Sequence, residues 1–188
     1  MPAQRIKPLI LAAGGAIRFG SAKQLALING VPMIRHTVTH ILEAGLGPCV
    51  VVTGAVQMQI ARTLEDLAVT CIHNPQWYEG MAGSIRTGLG WIRQHAPETE
   101  GILVALADQP FITGADFRRI REAYDGTCIV AASYPDGPGV PAIFPQPTWA
   151  DLESLAGDVG ARAVIRQNDA VTTVFVSDLR DIDHPGQI

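Results

Sequence analysis

Charge is scarce in this sequence. Asp, Glu, Lys and Arg make up 17% of it, and the net charge is −4. That excludes the basic surface that general nucleic-acid binding requires. An anionic substrate must then be met by local cations or by a metal ion. Cysteine is rare as well. Cys49, Cys71 and Cys128 stand far apart in apolar runs and make no metal-binding spacing. They read as buried, reduced thiols of a cytoplasmic protein. No apolar run is long enough to span a membrane. No targeting leader is visible: residues 1–7 are polar, and the apolar run after them is short and broken by glycine. Internal repeats, linkers and low-complexity stretches are missing too. What remains is a chain of 188 residues, 47% hydrophobic. It is large enough for one core and too short for two comfortable ones, so residues 1–188 read as a single domain.

The most informative stretch runs from Leu9 to Lys23. An apolar run ends in paired glycines, Gly14 and Gly15, and Arg18, Gly20 and Lys23 follow. The run suits a buried strand of a parallel sheet. The glycines let the backbone turn tightly and approach a ligand. Backbone N–H groups in such a loop form an anion-binding concavity, and Arg18 and Lys23 add full positive charge. A polyphosphate is the simplest partner. The alternative is an ordinary strand-to-helix turn with two solvated cations. The spacing fits neither the P-loop nor the dinucleotide fingerprint.

After that first strand (residues 6–12), strands and helices alternate. A helix starts at Gly30-Val31-Pro32 and ends at Gly45 or Gly47. Strands at 49–53 and 69–73 flank an amphipathic helix at 56–67. The alternation predicts a parallel sheet with right-handed crossovers. His36 and His40 are four apart, but no third metal ligand accompanies them. The stretch 74–89 breaks the rhythm with Asn-Pro, two aromatics and several glycines, and leads into a helix near Ser84, which could cap it. Such loops at the carboxyl ends of parallel strands are where α/β proteins bind ligands. A fourth strand, 101–107, ends in Asp108-Gln109-Pro110. If the first and fourth strands are neighbours, Asp108 sits beside the phosphate loop. A hard oxygen ligand there suits Mg²⁺; a turn or cap role is the alternative. Helices follow at 113–124, with Thr113 and Asp116 as a capping box, at 148–155 and up to Gln167. Strands follow at 128–133, at 140–144 (antiparallel) and at 171–176. Asp158 could cap the last helix, with Arg162 as its ion-pair partner. A helix N-terminus there, or Arg162, could also meet an acceptor phosphate.

Five motifs in this order resemble a known family. They are Leu11-Ala12-Ala13-Gly14-x-x-x-Arg18-x-Gly20-x-x-Lys23, Asn74-Pro75-x-Trp77-x-x-Gly80-Met81-x-x-Ser84, Leu106-Ala107-Asp108-Gln109-Pro110, Gly157-Asp158-x-Gly160-Ala161-Arg162 and Asp181-Ile182-Asp183-x-Pro185. Together they are similar to the molybdopterin nucleotidyltransferases, and most to the cytidylyltransferase-like branch. Two positions depart from that pattern. Phe19 stands where Met is usual, and Val140 stands where His commonly precedes Pro141.

The resemblance implies a three-layer, Rossmann-like α/β domain with a mostly parallel sheet, of the nucleotide-diphospho-sugar transferase kind. It implies transfer of a nucleoside monophosphate, CMP from CTP, onto the phosphate of molybdopterin, with a molybdoenzyme as eventual client. It assigns Leu11, Ala12, Ala13, Gly14, Gly15, Arg18, Lys23, Asn74, Gly80 and Ser84 to the nucleotide. It gives catalytic roles to Arg18, Lys23 and Asp108, and Mg²⁺ to Asp108 with Asp183. Asp158 and Arg162 fall to the acceptor. Guanylyl transfer, another small phosphorylated acceptor, or a non-catalytic nucleotide-binding maturation factor are the alternatives.

Overall fold

The computed structural model describes residues 5–15, 22–182 and 186. Arg18 and Asp183, assigned above to phosphate and metal, lie outside the described residues. In chain order, β1 (Ile6–Ala12) is followed by a short hairpin, β2 (Leu27–Ile28) and β3 (Val31–Pro32), and by α1 (Met33–Glu43). Then come β4 (Cys49–Thr53), α2 (Gln57–Thr63), β5 (Val69–His73), α3 (Met81–His95) and β6 (Gly101–Leu106). The second half holds α4 (Gly114–Ala123), β7 (Ile129–Tyr134), β8 (Gly137–Pro145), α5 (Trp149–Ser154), α6 (Arg162–Gln167) and β9 (Val171–Val174).

Seven strands form one sheet in the order β5-β4-β1-β6-β8-β7-β9. β1 pairs in parallel with both β4 and β6, and β5 extends β4 in parallel. β8 runs antiparallel between β6 and β7, and β9 returns to parallel beside β7. The sheet is therefore mostly parallel. Each strand's side chains alternate between two apolar layers. From β1, Ile10 and Ala12 enter the layer holding Ile34, Val38 and Ile41 of α1 and Phe117 and Ile120 of α4. Leu9, Leu11 and Ala13 enter the opposite layer, with Ile85, Leu89 and Ile92 of α3, Trp149 of α5 and Val164 of α6. Helices cover both faces, so β1 and β6 are buried at the centre and their carboxyl ends open into one cleft.

Several expectations need correction. The helix expected at 56–67 ends at Thr63, because Leu64 to Leu67 turn back to start β5. α3 begins at Met81, not near Ser84: Gly80, at φ 113°, lets the chain enter the helix earlier. Ser84 therefore caps nothing. It lies inside α3, and its hydroxyl accepts a hydrogen bond from Asn74 Nδ2 at 3.1 Å. The antiparallel strand expected at 140–144 extends over Gly137–Pro145, since the turn before it is only two residues long. The hairpin β2–β3 was not expected. Asn29 (φ 51°) and Gly30 (φ 80°) make its turn, and Asn-Gly is the sequence signal for that geometry. The capping box of α4 forms as expected, with Thr113 and Asp116 satisfying each other's backbone.

Candidate functional site

A cleft of about 230 Å³ opens beyond the carboxyl ends of β1 and β6. Leu11, Ala13, Gly14, Lys23, Gly80, Ser84, Asp108 and Asp158 are all in its wall. Residues from four of the five motifs, distant in sequence, are thus brought together. The glycines explain how the wall closes. A Cβ on Gly15 would stand 2.6 Å from the Trp77 ring, and one on Gly54 would stand 2.3 Å from the Ala13 carbonyl oxygen. The loop after β1 is clamped against β4 and Trp77 because both residues lack side chains. On the opposite wall Gly80 meets Gly157. A Cβ on Gly80 would stand 2.3 Å from the Gly157 carbonyl, and that carbonyl accepts from the Ala82 N–H at 3.1 Å. This contact brings Asp158 to the cleft.

Charge is concentrated at one point. Lys23 Nζ lies 2.9 Å from Asp108 Oδ2. Lys23 starts a short 3₁₀ turn, Lys23–Leu25, and Asp108 follows β6. The other carboxylate oxygen of Asp108, Oδ1, is buried and has no hydrogen-bond partner among the described residues. A carboxylate with one oxygen neutralised and the other unpaired has capacity for a cation. No group of three His, Cys, Asp or Glu residues able to hold a metal exists among the described residues. Among the described residues, then, Asp108 is the carboxylate open to a cation, and substrate oxygens and water would fill most of the shell, as with Mg²⁺ on phosphates. The donor set fits that ion. Ile182 N–H donates to the Asp108 carbonyl at 3.1 Å, so the chain is held at Asp108 one residue before Asp183. His36 and His40 make no metal site. Their rings are 6.1 Å apart, and His36 Nε2 is engaged with the Ile28 carbonyl at 3.0 Å.

Asp158 and Arg162 part company. Arg162 opens α6, donates to Asp136 at 2.7 Å and stacks over the Tyr134 ring at 5.3 Å. That interaction holds the Asp136 carboxyl below its usual range. The expected Asp158–Arg162 pair is replaced by this one, and Arg162 is not in the cleft wall. It instead supports a chain of contacts toward Asp108. Gln109 Nε2 donates to the Tyr134 hydroxyl at 2.8 Å, and that hydroxyl donates to the Val140 carbonyl. Burial pushes the Tyr134 hydroxyl up to about 12, so it remains a donor at neutral pH. Position 140 contributes a backbone oxygen to this network. The sequence pointed to neither Gln24 nor Tyr134 as a site residue, and Gln109 entered only as part of the motif around Asp108, without a role of its own. Only the hydrogen bonds of the folded chain reveal them.

The profile of the MobA-like NTP transferase domain matches residues 8–171. The chain belongs to this family. It is a nucleotidyltransferase domain. The bifunctional protein GlmU of Agrobacterium fabrum is 34% identical over 122 residues, 61% of this chain and 25% of GlmU. The chain thus spans a quarter of that relative's length. Among solved structures, Rv0371c from Mycobacterium tuberculosis superposes with a TM-score of 0.83 at 26% identity, covering 97% of this chain and 94% of its own. Mth528, a nucleotidyl transferase from Methanothermobacter, gives a TM-score of 0.83 at 25% identity, with 97% and 93% covered. A manganese complex of Rv0371c shares the fold, with a TM-score of 0.76 at 24% identity and 96% and 92% covered. No helix among the described residues is long and apolar enough to cross a membrane.

Proposed function

We propose that the domain, residues 1–188, is a Mg²⁺-dependent cytidylyltransferase that moves CMP from CTP onto the phosphate of molybdopterin. One observation carries the reading: Lys23 and the half-unpaired Asp108 carboxylate meet at the mouth of a cleft walled by the glycine loop after β1. A phosphate oxygen of the acceptor attacks the α-phosphorus in line, the bond from that phosphorus to the bridging oxygen breaks, and pyrophosphate leaves. The attacking phosphate is already an anion and needs no strong base, so positioning and charge neutralisation dominate. Backbone N–H groups around Gly14 and Gly15 hold the β- and γ-phosphates. Arg18 and Lys23 stabilise the charge that develops on the leaving group. Asp108, with Asp183, would hold Mg²⁺, which would supply positive charge against the substrate phosphates. The manganese bound in a relative of the same fold supports a divalent ion. Asn74, Gly80 and Ser84 shape the base side, Leu11, Ala12 and Ala13 its floor, and Asp158 the acceptor side, with Arg162 acting through Tyr134.

A second reading of the same chemistry is transfer of another nucleotide, such as GMP, to a different small phosphorylated acceptor. Val140 favours it, since the position offers a carbonyl tied to Tyr134 and no imidazole. A non-catalytic maturation factor for a molybdoenzyme would have no use for the Lys23–Asp108 pair. The deciding assay is pyrophosphate release from CTP, GTP and ATP with purified molybdopterin. Release with CTP alone supports the proposal. Release only with another acceptor transfers it to the second reading.

A further inference from the structure

The cleft wall contains one buried amide that the proposed chemistry leaves unused. Gln24 is 6% exposed and lies in the turn directly after Lys23. Its Nε2 donates to the Ala12 carbonyl at 3.2 Å and to the Gly14 carbonyl at 2.7 Å. These two acceptors bracket Ala13, and they fix which end of the amide is nitrogen. The Oε1 on the other end is buried and has no hydrogen-bond partner among the described residues. A buried acceptor without a donor weakens a fold. An apolar side chain of the same length would avoid that loss. What it would not supply is the pair of N–H donors on the backbone that leaves β1.

The turn holding Gln24 also faces the other way. Lys23, the residue before it, reaches Asp108 beyond β6 at 2.9 Å. One short turn therefore ties the end of β1 to the end of β6. On its far side the same backbone is pressed against Gly54 and Trp77. Gln24 is the near jaw of that clamp. We infer that Gln24 is a positioning residue for nucleotide recognition: its amide holds the Ala12–Gly14 backbone in the shape that meets base and phosphates, in register with the Lys23–Asp108 pair. The inference rests on the reading of this cleft as the nucleotide site. Gln24 acts through the loop and has no need to touch the substrate.

The test measures CTP and GTP affinity by calorimetry in the presence of Mg²⁺, with the thermal midpoint of each protein. The proteins are the full wild-type chain, Gln24→Met, Gln24→Glu and Lys23→Ala. Gln24→Met keeps the length and removes both donors together with the unpaired oxygen. Its thermal midpoint should change little, since losing the unpaired oxygen offsets losing the two donors, while CTP affinity falls roughly tenfold, on the order of one lost hydrogen bond. Its preference between CTP and GTP should narrow. Gln24→Glu sets carboxylate oxygens against the two loop carbonyls and should bind CTP more weakly still. Wild-type affinity in either variant overturns the inference. So does an affinity loss that only tracks a fall in thermal midpoint, or a Gln24→Met chain that does not fold, because each makes Gln24 purely structural. The Lys23→Ala arm separates the two levels of the proposal. If Lys23→Ala weakens CTP binding and Gln24→Met leaves it intact, the nucleotide cleft stands and this inference falls. If the wild-type chain binds neither nucleotide, the cleft reading falls and takes the inference with it.

Discussion

Lys23 Nζ and Asp108 Oδ2 lie 2.9 Å apart, although 85 residues separate them in the chain. Their side chains are 14% and 28% exposed, so the pair sits in a partly dried site where charge acts strongly. Removing either charge should damage turnover far more than folding. Lys23→Ala and Arg18→Ala should each lower turnover on the order of 100-fold, the cost of losing one transition-state charge contact. The check is steady-state pyrophosphate release beside a thermal melt. Normal turnover in both variants would end the phosphate-loop reading.

The unpaired Asp108 Oδ1 leads to a separate prediction about metal. Asp108→Asn preserves shape and removes the charge that attracts a divalent ion. Activity restored by Mg²⁺ after EDTA treatment should be abolished in Asp108→Asn, with the melt little changed. Asp183→Asn should also lose activity, as the proposed second ligand. Full activity of the wild type in excess EDTA would defeat the metal assignment, and an unchanged Asp183→Asn would remove that residue from it.

Asp116 fixes the C-terminal segment from a distance. It is fully buried, and it accepts from the Thr113 N–H and hydroxyl and from the Ser177 N–H and hydroxyl at 2.7–3.2 Å. Burial alone would push its carboxyl up, but these hydrogen bonds outweigh burial and hold it below the usual range. A folded-state value below the unfolded one means stability that is present above the unfolded value, about 3.9, and lost as pH falls through the folded one. Asp116→Asn turns amide N–H donors toward donors and should cost about 1–3 kcal/mol near neutral pH. The difference from wild type should shrink in acid. Amide exchange at Ile182 should quicken in the variant, because Ser177 anchors the stretch that ends on Asp108. Equal stability of the two proteins at every pH would refute this account.

Gly80 offers a contrast with Gly157, which it touches. Gly80 has φ 113°, and a Cβ there would stand 2.3 Å from the Gly157 backbone. Gly157 has φ 59°, and a Cβ there would meet nothing within 4 Å. Gly157→Ala should therefore cost only about 1–2 kcal/mol of left-handed strain. Gly80→Ala adds a backbone collision to its strain and should cost more than about 2 kcal/mol, with nucleotide binding lost as that wall is pushed apart. Chemical denaturation of both variants measures the difference. A smaller loss at Gly80 would show that the Gly80–Gly157 contact is not tight.

Periodicity and motif order made much of the fold legible. The apolar runs ending at Ala12 and Leu106 are buried parallel strands, and Asp108 falls beside the glycine loop because those strands are neighbours. The early start of α3 was not legible, since Ser84 looks like a cap and Gly80's positive φ becomes necessary only once Gly157 packs against it. The partner of Arg162 was hidden for a related reason. An i to i+4 spacing suggests Asp158, but the chain before α6 is not helical, and the β7–β8 turn presents Asp136 instead. Gln24 carried no local signal at all. Its acceptors lie 10 and 12 residues away, and no spacing rule links an amide to loop carbonyls at that distance.

On the proposed function, base choice should fall to Ala13. It is 6% exposed, lies in the cleft wall, and has its carbonyl pressed against Gly54. The backbone there cannot retreat, so the Ala13 methyl narrows the space beside the strand end. A pyrimidine fits such a space more readily than the second ring of a purine. Gly at this position would remove the methyl and expose backbone for contact. One methyl group typically discriminates by about 1–3 kcal/mol in a pocket, so the preference should be clear but incomplete. Ser84 in the cleft wall, held by the buried Asn74 amide behind it, should share the selection. The wild type should release pyrophosphate faster with CTP than with GTP or ATP at equal concentration and saturating acceptor. Ala13→Gly should shift the CTP-to-GTP ratio toward one, while Ser84→Ala should lower turnover with both nucleotides. A wild-type enzyme that prefers GTP would remove the cytidylyl assignment, because the methyl at Ala13 would then be failing to exclude the larger base.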